Sequence, residues 1–186
     1  RLHTTGFAGP EPQRPYIVAD YLADYEPLDS FIGREGSLNP ELALEVAWPL
    51  ARALQALHNR GVLHRCLRPA AVLVRRENKQ LTIKLIDAGM PLKRSWMHAA
   101  ATHPDALLLT SLGRTVARLK GYLPPELTGR PKGHVWLGPH SDFYAYGRIC
   151  ALLLTGKPDP DTADRLLLPE NWGSILSMCS GWTINR

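Results

Sequence analysis

The stretch His64-Arg65-Cys66-Leu67-Arg68-Pro69-Ala70-Ala71-Val72-Leu73-Val74 gathers a histidine, two arginines and a cysteine in one loop and runs on into an apolar, β-branched segment. Upstream, Asn39-Pro40-Glu41 supplies an N-cap, a first-turn proline and a first-turn acid, and Arg60-Gly61 supplies a stop, which predicts a long helix between them. Leu42, Val46, Leu50, Ala53, Leu54 and Leu57 recur at three- and four-residue steps and place one stripe against a core. Pro49 conflicts with that helix, because an interior proline removes a hydrogen bond at a cost of about 3 kcal/mol; a kink near Glu45, or packing that overrides the cost, is expected. Downstream, residues 71–74 and 81–86 read as a hairpin joined by polar 75–80, and Ile86-Asp87-Ala88-Gly89 ends its second strand. Residues 16–22 read as a strand, and the Pro/Gly-rich stretches 6–15 and 121–139 as long connections. Residues 141–154 read as a helix apolar on nearly all sides, stopped by Gly156.

The 186 residues suit one domain or slightly more at roughly 150 per domain. With 45% hydrophobic and 21% charged residues the composition is that of a folded globular chain, which excludes a disordered tail and a coiled coil. No apolar run approaches the roughly 20 residues of a membrane span, and no signal core opens the chain. Cys66, Cys150 and Cys179 form no C-x-x-C pair, so a cytoplasmic location is expected rather than a disulfide or zinc scaffold. Glycine-rich phosphate loops, H-E-x-x-H and G-x-S-x-G are missing, and the acidic run at 159–164 lacks the glycine of a calcium loop. The opening Arg1 and the unpunctuated end at Arg186 read as those of a piece of something longer. The net charge of +5 is concentrated: residues 59–94 hold nine Lys/Arg against Glu77 and Asp87. Such a segment suits nucleic acid, anionic lipid or a phosphorylated ligand, or is simply a solvated basic surface.

Four segments fall in a fixed order: the opening loop, then Ile86-Asp87-Ala88-Gly89, Leu123-Pro124-Pro125-Glu126, and Ser141-Asp142-Phe143 at the head of the apolar helix. In that order they resemble the large lobe of protein kinases. The family signature there is His-Arg-Asp-Leu-Lys-Pro-x-Asn, then Asp-Phe-Gly, Ala-Pro-Glu and an aspartate opening a buried helix. The resemblance covers nearly the whole chain and is nearest to serine/threonine kinases. It implies an α+β fold, with a mainly helical C-terminal lobe, a hinge strand, a small β-hairpin and an N-terminal lobe largely absent. Residues 1–186 are then one partial kinase-like domain, with 16–22 as the last small-lobe strand and hinge and 23–186 as the large lobe.

The resemblance also assigns positions. Cys66 stands where the family carries its catalytic-base aspartate and Ala71 where it carries a metal-binding asparagine. Arg68 replaces a phosphate-contacting lysine, which keeps the charge and changes the fork geometry. Asp87 occupies the magnesium-binding place, either as a metal ligand or as a hydrogen-bonded loop acid, and Ala88 replaces the phenylalanine beside it. Ala19, Asp20, Tyr21, Leu22 and Leu73 fall at nucleotide-contacting positions. His64, Arg65, Glu126, Asp142 and Arg186 fall at structural ones: the histidine in the core, Asp142 capping loop amides, Glu126 paired with Arg186. Cys66 reads as a half-buried thiol filling an aspartate's space, against the alternative of a nucleophile activated by His64.

Residues 90–120, at the activation segment, carry Leu107, Leu108, Leu109, Leu112, Val116 and Leu119 and are expected to pack on the lobe rather than switch by phosphorylation at Thr110, Ser111 or Thr115. The resulting expectation is a pseudokinase, a regulatory or protein-binding module with ATP and magnesium held weakly or lost. The alternative is an active serine/threonine kinase with an unusual base. A basic nucleic-acid-binding domain is the third reading, disfavoured because residues 59–94 lack interleaved aromatics for base stacking.

Overall fold

A computed structural model describes residues 2–10, 14–89, 121–124, 138–160 and 168–180. The chain opens with two antiparallel strands, β1 (Leu2–Ala8) and β2 (Arg14–Ala19). This corrects the sequence reading twice. Strand β1 runs into the stretch expected to be a connection, and β2 stops at Ala19, three residues short of the expected end. Thr4, Thr5 and Phe7 are good strand residues whose signal Gly6 and Gly9 mask. At Gly6 the Tyr16 ring from the opposite strand lies over the backbone, and a Cβ there would move the tyrosine, its hydroxyl being 2.7 Å away.

A short strand β3 (Glu26–Pro27) leads into helix α1 (Leu28–Glu35), which buries Leu28, Phe31 and Ile32. The predicted long helix is α2 (Pro40–His58), capped by the Asn39 side chain accepting from the Leu42 amide at 2.9 Å. It runs unbroken through Pro49, with Val46, Ala47, Leu50 and Leu54 buried against the core. Burial of four such side chains is worth several kcal/mol, enough to offset the proline. The chain leaves the helix through Gly61, in the left-handed region at φ 71°.

After a 3₁₀ turn over Pro69–Ala71 come β4 (Val72–Glu77) and β5 (Gln80–Leu85). The expected six-residue link is a two-residue turn, Asn78-Lys79, both at positive φ as tight hairpins require. The strands form a sheet in the order β3-β4-β5, with β5 at one edge. Its inner face is Val72, Val74, Leu81, Ile83 and Leu85, and its outer face Leu73, Arg75, Gln80, Thr82 and Lys84. Helix α3 (Pro139–Thr155) starts two residues before the predicted one and ends at Gly156, φ 73°. It is the central core helix, with Ala145, Ile149, Cys150, Ala151 and Leu153 nearly or fully buried. Helix α4 (Glu170–Ser180) packs on it through Trp172 and Leu176.

Candidate functional site

The loop at residues 64–68 lies between the end of α2 and the hairpin, and Asp142 in the first turn of α3 holds it from beneath. The Asp142 carboxylate is 2% exposed and accepts three hydrogen bonds: from the backbone amides of His64 (2.8 Å) and Arg65 (2.9 Å), and from Nε2 of His58 (2.8 Å). Arg65 sits at φ 65°, a strained conformation for a long side chain, and the bond from its amide helps hold it there. His58 was not among the residues singled out from sequence. Its signal is position, a histidine in the last turn of α2, six residues before His64.

The His64 ring is wholly buried, and its Nε2 lies 2.9 Å from the Ile86 carbonyl. A carbonyl only accepts, so Nε2 carries the proton, and Nδ1 is left buried without a partner among the described residues. Burial pushes the imidazole below its usual pKa, outweighing the nearby Asp142 carboxylate, so the ring is held neutral. Bonds from the Ile86 amide to the Ala71 carbonyl and from the Gly89 amide to the His64 carbonyl tie the loop to the end of β5.

Cys66, expected to be half-buried, is fully buried. The correction follows from Arg68, which folds back over it: Nη1 donates to both the Cys66 carbonyl and Sγ, each at 3.1 Å. Burial is the main cause that pushes the thiol pKa up, which keeps Cys66 protonated. Nη2 of Arg68 reaches across to Asp87 Oδ2 at 2.8 Å, and Asp87 itself sits at φ 61°. Arg68 is thus buried with both terminal nitrogens engaged, and the Asp87 carboxylate, about a third exposed, has a guanidinium on one oxygen. Ala71 is fully buried and offers a methyl group only.

The remaining sequence-derived positions lie apart from this cluster or outside the described residues. Ala19 ends β2, Asp20 pairs with His3, Tyr21 is 90% exposed and Leu22 accepts from the Tyr25 amide. Leu73 is half-buried on the outer face of the hairpin, opposite Pro27 and Lys84. Glu126, Arg186 and the 90–120 stretch, with Leu119 and the three candidate phosphorylation positions, lie outside the described residues. A second residue the sequence reading passed over is Arg148, buried in α3, donating to the Gly121 carbonyl and paired with Asp159. A lone cation inside an otherwise apolar helix is the signal for it.

This geometry accords with the comparisons. The family model of the protein kinase domain matches residues 7–165. Serine/threonine-protein kinase Pkn1 of Myxococcus xanthus is 32% identical over 148 residues, 78% of this chain and 19% of that protein. Serine/threonine-protein kinase PknB of Mycobacterium tuberculosis is 30% identical over 164 residues, 88% of this chain and 23% of that protein. The chain therefore spans about a fifth of the length of these curated relatives. Among solved structures, the kinase domain of Mycobacterium tuberculosis PknI, a double mutant, superposes with a TM-score of 0.63 at 22% identity, covering 96% of this chain and 61% of that one, a likeness of fold. With a kinase-like α+β fold and a family match over most of its length, the chain belongs to the protein kinase domain family.

Proposed function

We propose that this is a pseudokinase domain, a regulatory, protein-binding module in which phosphotransfer is lost and nucleotide binding is weak at most. Protein kinases use ATP and magnesium, and phosphoryl transfer in the family needs a carboxylate to receive the substrate proton and ligands to hold the metal. The observation that carries the reading is the Arg68 guanidinium, which bonds Asp87 where a cation would sit and also covers the thiol at the base position. A protonated, buried thiol accepts no hydroxyl proton.

The residues present do not fit magnesium. Asp87 has one oxygen taken by Arg68, Ala71 supplies no ligand atom, and among the described residues no group of three His, Cys, Asp or Glu side chains is placed to hold a metal. The Asp142 carboxylate accepts from two loop amides and so fixes the loop's shape without itself supplying chemistry. Among the described residues no helix is long and apolar enough to cross a membrane. The test is incorporation of radiolabelled phosphate from ATP into a generic protein substrate by the full-length protein. The expected result is no incorporation above that of the Asp87→Ala variant; incorporation that Asp87→Ala abolishes would establish an active kinase instead.

A further inference from the structure

The cleft end of the loop at residues 64–68 is balanced in charge without a metal. Among the side chains gathered there, Asp87 supplies the negative charge and Arg68 the buried positive one, and the two are bonded at 2.8 Å. Cys66 stays a protonated thiol, His64 a neutral ring, and Ala71 is a methyl group. A divalent cation would bring two positive charges beside a guanidinium only 8% exposed, against one carboxylate that is already paired.

The guanidinium is nevertheless not fully used. An arginine carries five N–H donors in one plane. Nη1 of Arg68 bonds the Cys66 carbonyl and Sγ, and Nη2 bonds Asp87 Oδ2. The second hydrogen of Nη2 has no acceptor among the described residues, and Nε is buried without a partner. Idle donors on a buried cation cost free energy that an incoming anionic acceptor recovers. Asp87 is about a third exposed, so the pair borders the open cleft and not the core. The neighbourhood is basic as well: Arg65 in the same loop is exposed, and residues 59–94 hold nine Lys/Arg against Glu77 and Asp87.

We infer that the Arg68 guanidinium stands in for magnesium, so that the cleft binds a nucleoside triphosphate as the free anion and disfavours its magnesium complex. Phosphate oxygens accept from the donors that Asp87 and Cys66 leave idle, and Asp87, neutralised by the same guanidinium, does not repel them. The metal complex would carry a dication to a place that a fixed cation already holds, and like charges side by side are costly. The inference rests on the pseudokinase reading of the same cleft, in which weak nucleotide binding survives. It adds the form in which the nucleotide is held.

The test is calorimetric titration of ATP into the full-length protein, once in EDTA and once in excess magnesium chloride. The expected result is binding in EDTA that magnesium weakens about tenfold or more. Arg68→Met keeps the length of the side chain and removes its charge. It should weaken binding in EDTA by about tenfold, the loss of one charge-assisted hydrogen bond. It should also reverse the sign of the metal effect, because Asp87 is then free to meet magnesium on the phosphates. The sign is read within each protein, so a less stable variant still reports it, and circular dichroism without nucleotide checks that the variant is folded. No binding in EDTA, a parent whose binding magnesium strengthens or leaves unchanged, or an Arg68→Met variant with the parent's metal response would each overturn the inference. Transfer of labelled phosphate from magnesium-ATP would overturn the pseudokinase reading with it, whereas magnesium-strengthened binding without transfer would overturn this inference alone.

Discussion

At its start the loop at residues 64–68 hangs from Asp142, a buried carboxylate that bonds two backbone amides and a histidine; at its end Arg68 closes over Cys66 and clamps Asp87. The first arrangement fixes where the backbone runs and would serve any chemistry placed on it. The second spends the side chains that would do chemistry on one another. Contacts of the first kind are buried and costly to break. Both ends are buried, so the difference between them lies in what is bonded: backbone amides at the start, side chains at the end.

The sharpest way to break the comparison is at Asp142. Asp142→Ala leaves two amides and His58 without an acceptor and should cost about 3–5 kcal/mol in urea denaturation. Asp142→Asn, which keeps one carbonyl oxygen, should cost less. If the alanine variant were as stable as the parent, the scaffold end would be no more demanding than the cleft end.

At the cleft end the effects should be smaller. Arg68→Gln removes the Asp87 pair and both bonds to Cys66, and should cost about 1–2 kcal/mol, discounted because about a third of the Asp87 side chain faces water. Asp87→Asn should cost less than Arg68→Gln, since it leaves the Cys66 bonds in place. Equal costs would mean that the thiol contact contributes nothing.

His64 links the two ends and gives a pH test. Its folded pKa lies below the ordinary 6.5, so the unfolded chain binds the extra proton first. The contribution is fully present above about pH 6.5 and is lost as pH falls below it, at up to about 1.4 kcal/mol per pH unit. A melting temperature flat between pH 7 and 6 but for changes also seen in His64→Gln would contradict this. The smallest effect concerns the thiols. Burial raises the pKa of Cys66 and pushes Cys150 up to about 12, so iodoacetamide should label neither in the native state and both after unfolding, with the less buried Cys179 labelled first.

The sequence shows the two long helices α2 and α3 and the hairpin because their signals are local, the Asn39-Pro40 cap, the Gly156 stop and the alternation along β5, but not the shorter helices α1 and α4. It also shows which residue types stand at the motif positions, and so the absence of a carboxylate at 66 and of an amide at 71. It does not show strand β1, where two glycines hide the pattern, nor the short turn at Asn78-Lys79, where polar residues in a tight hairpin look like a longer loop. Tertiary structure alone decided that Arg68 turns toward Asp87 and Cys66 instead of outward, that His58 joins His64 on an aspartate 84 residues away, and that Leu44 and Trp48 are exposed while their neighbours face the core. The physical reason is range. Caps, turns and periodicity are set by residues within one or two turns of each other, whereas pairing of charges and exposure of a helix face depend on what a distant part of the chain brings alongside.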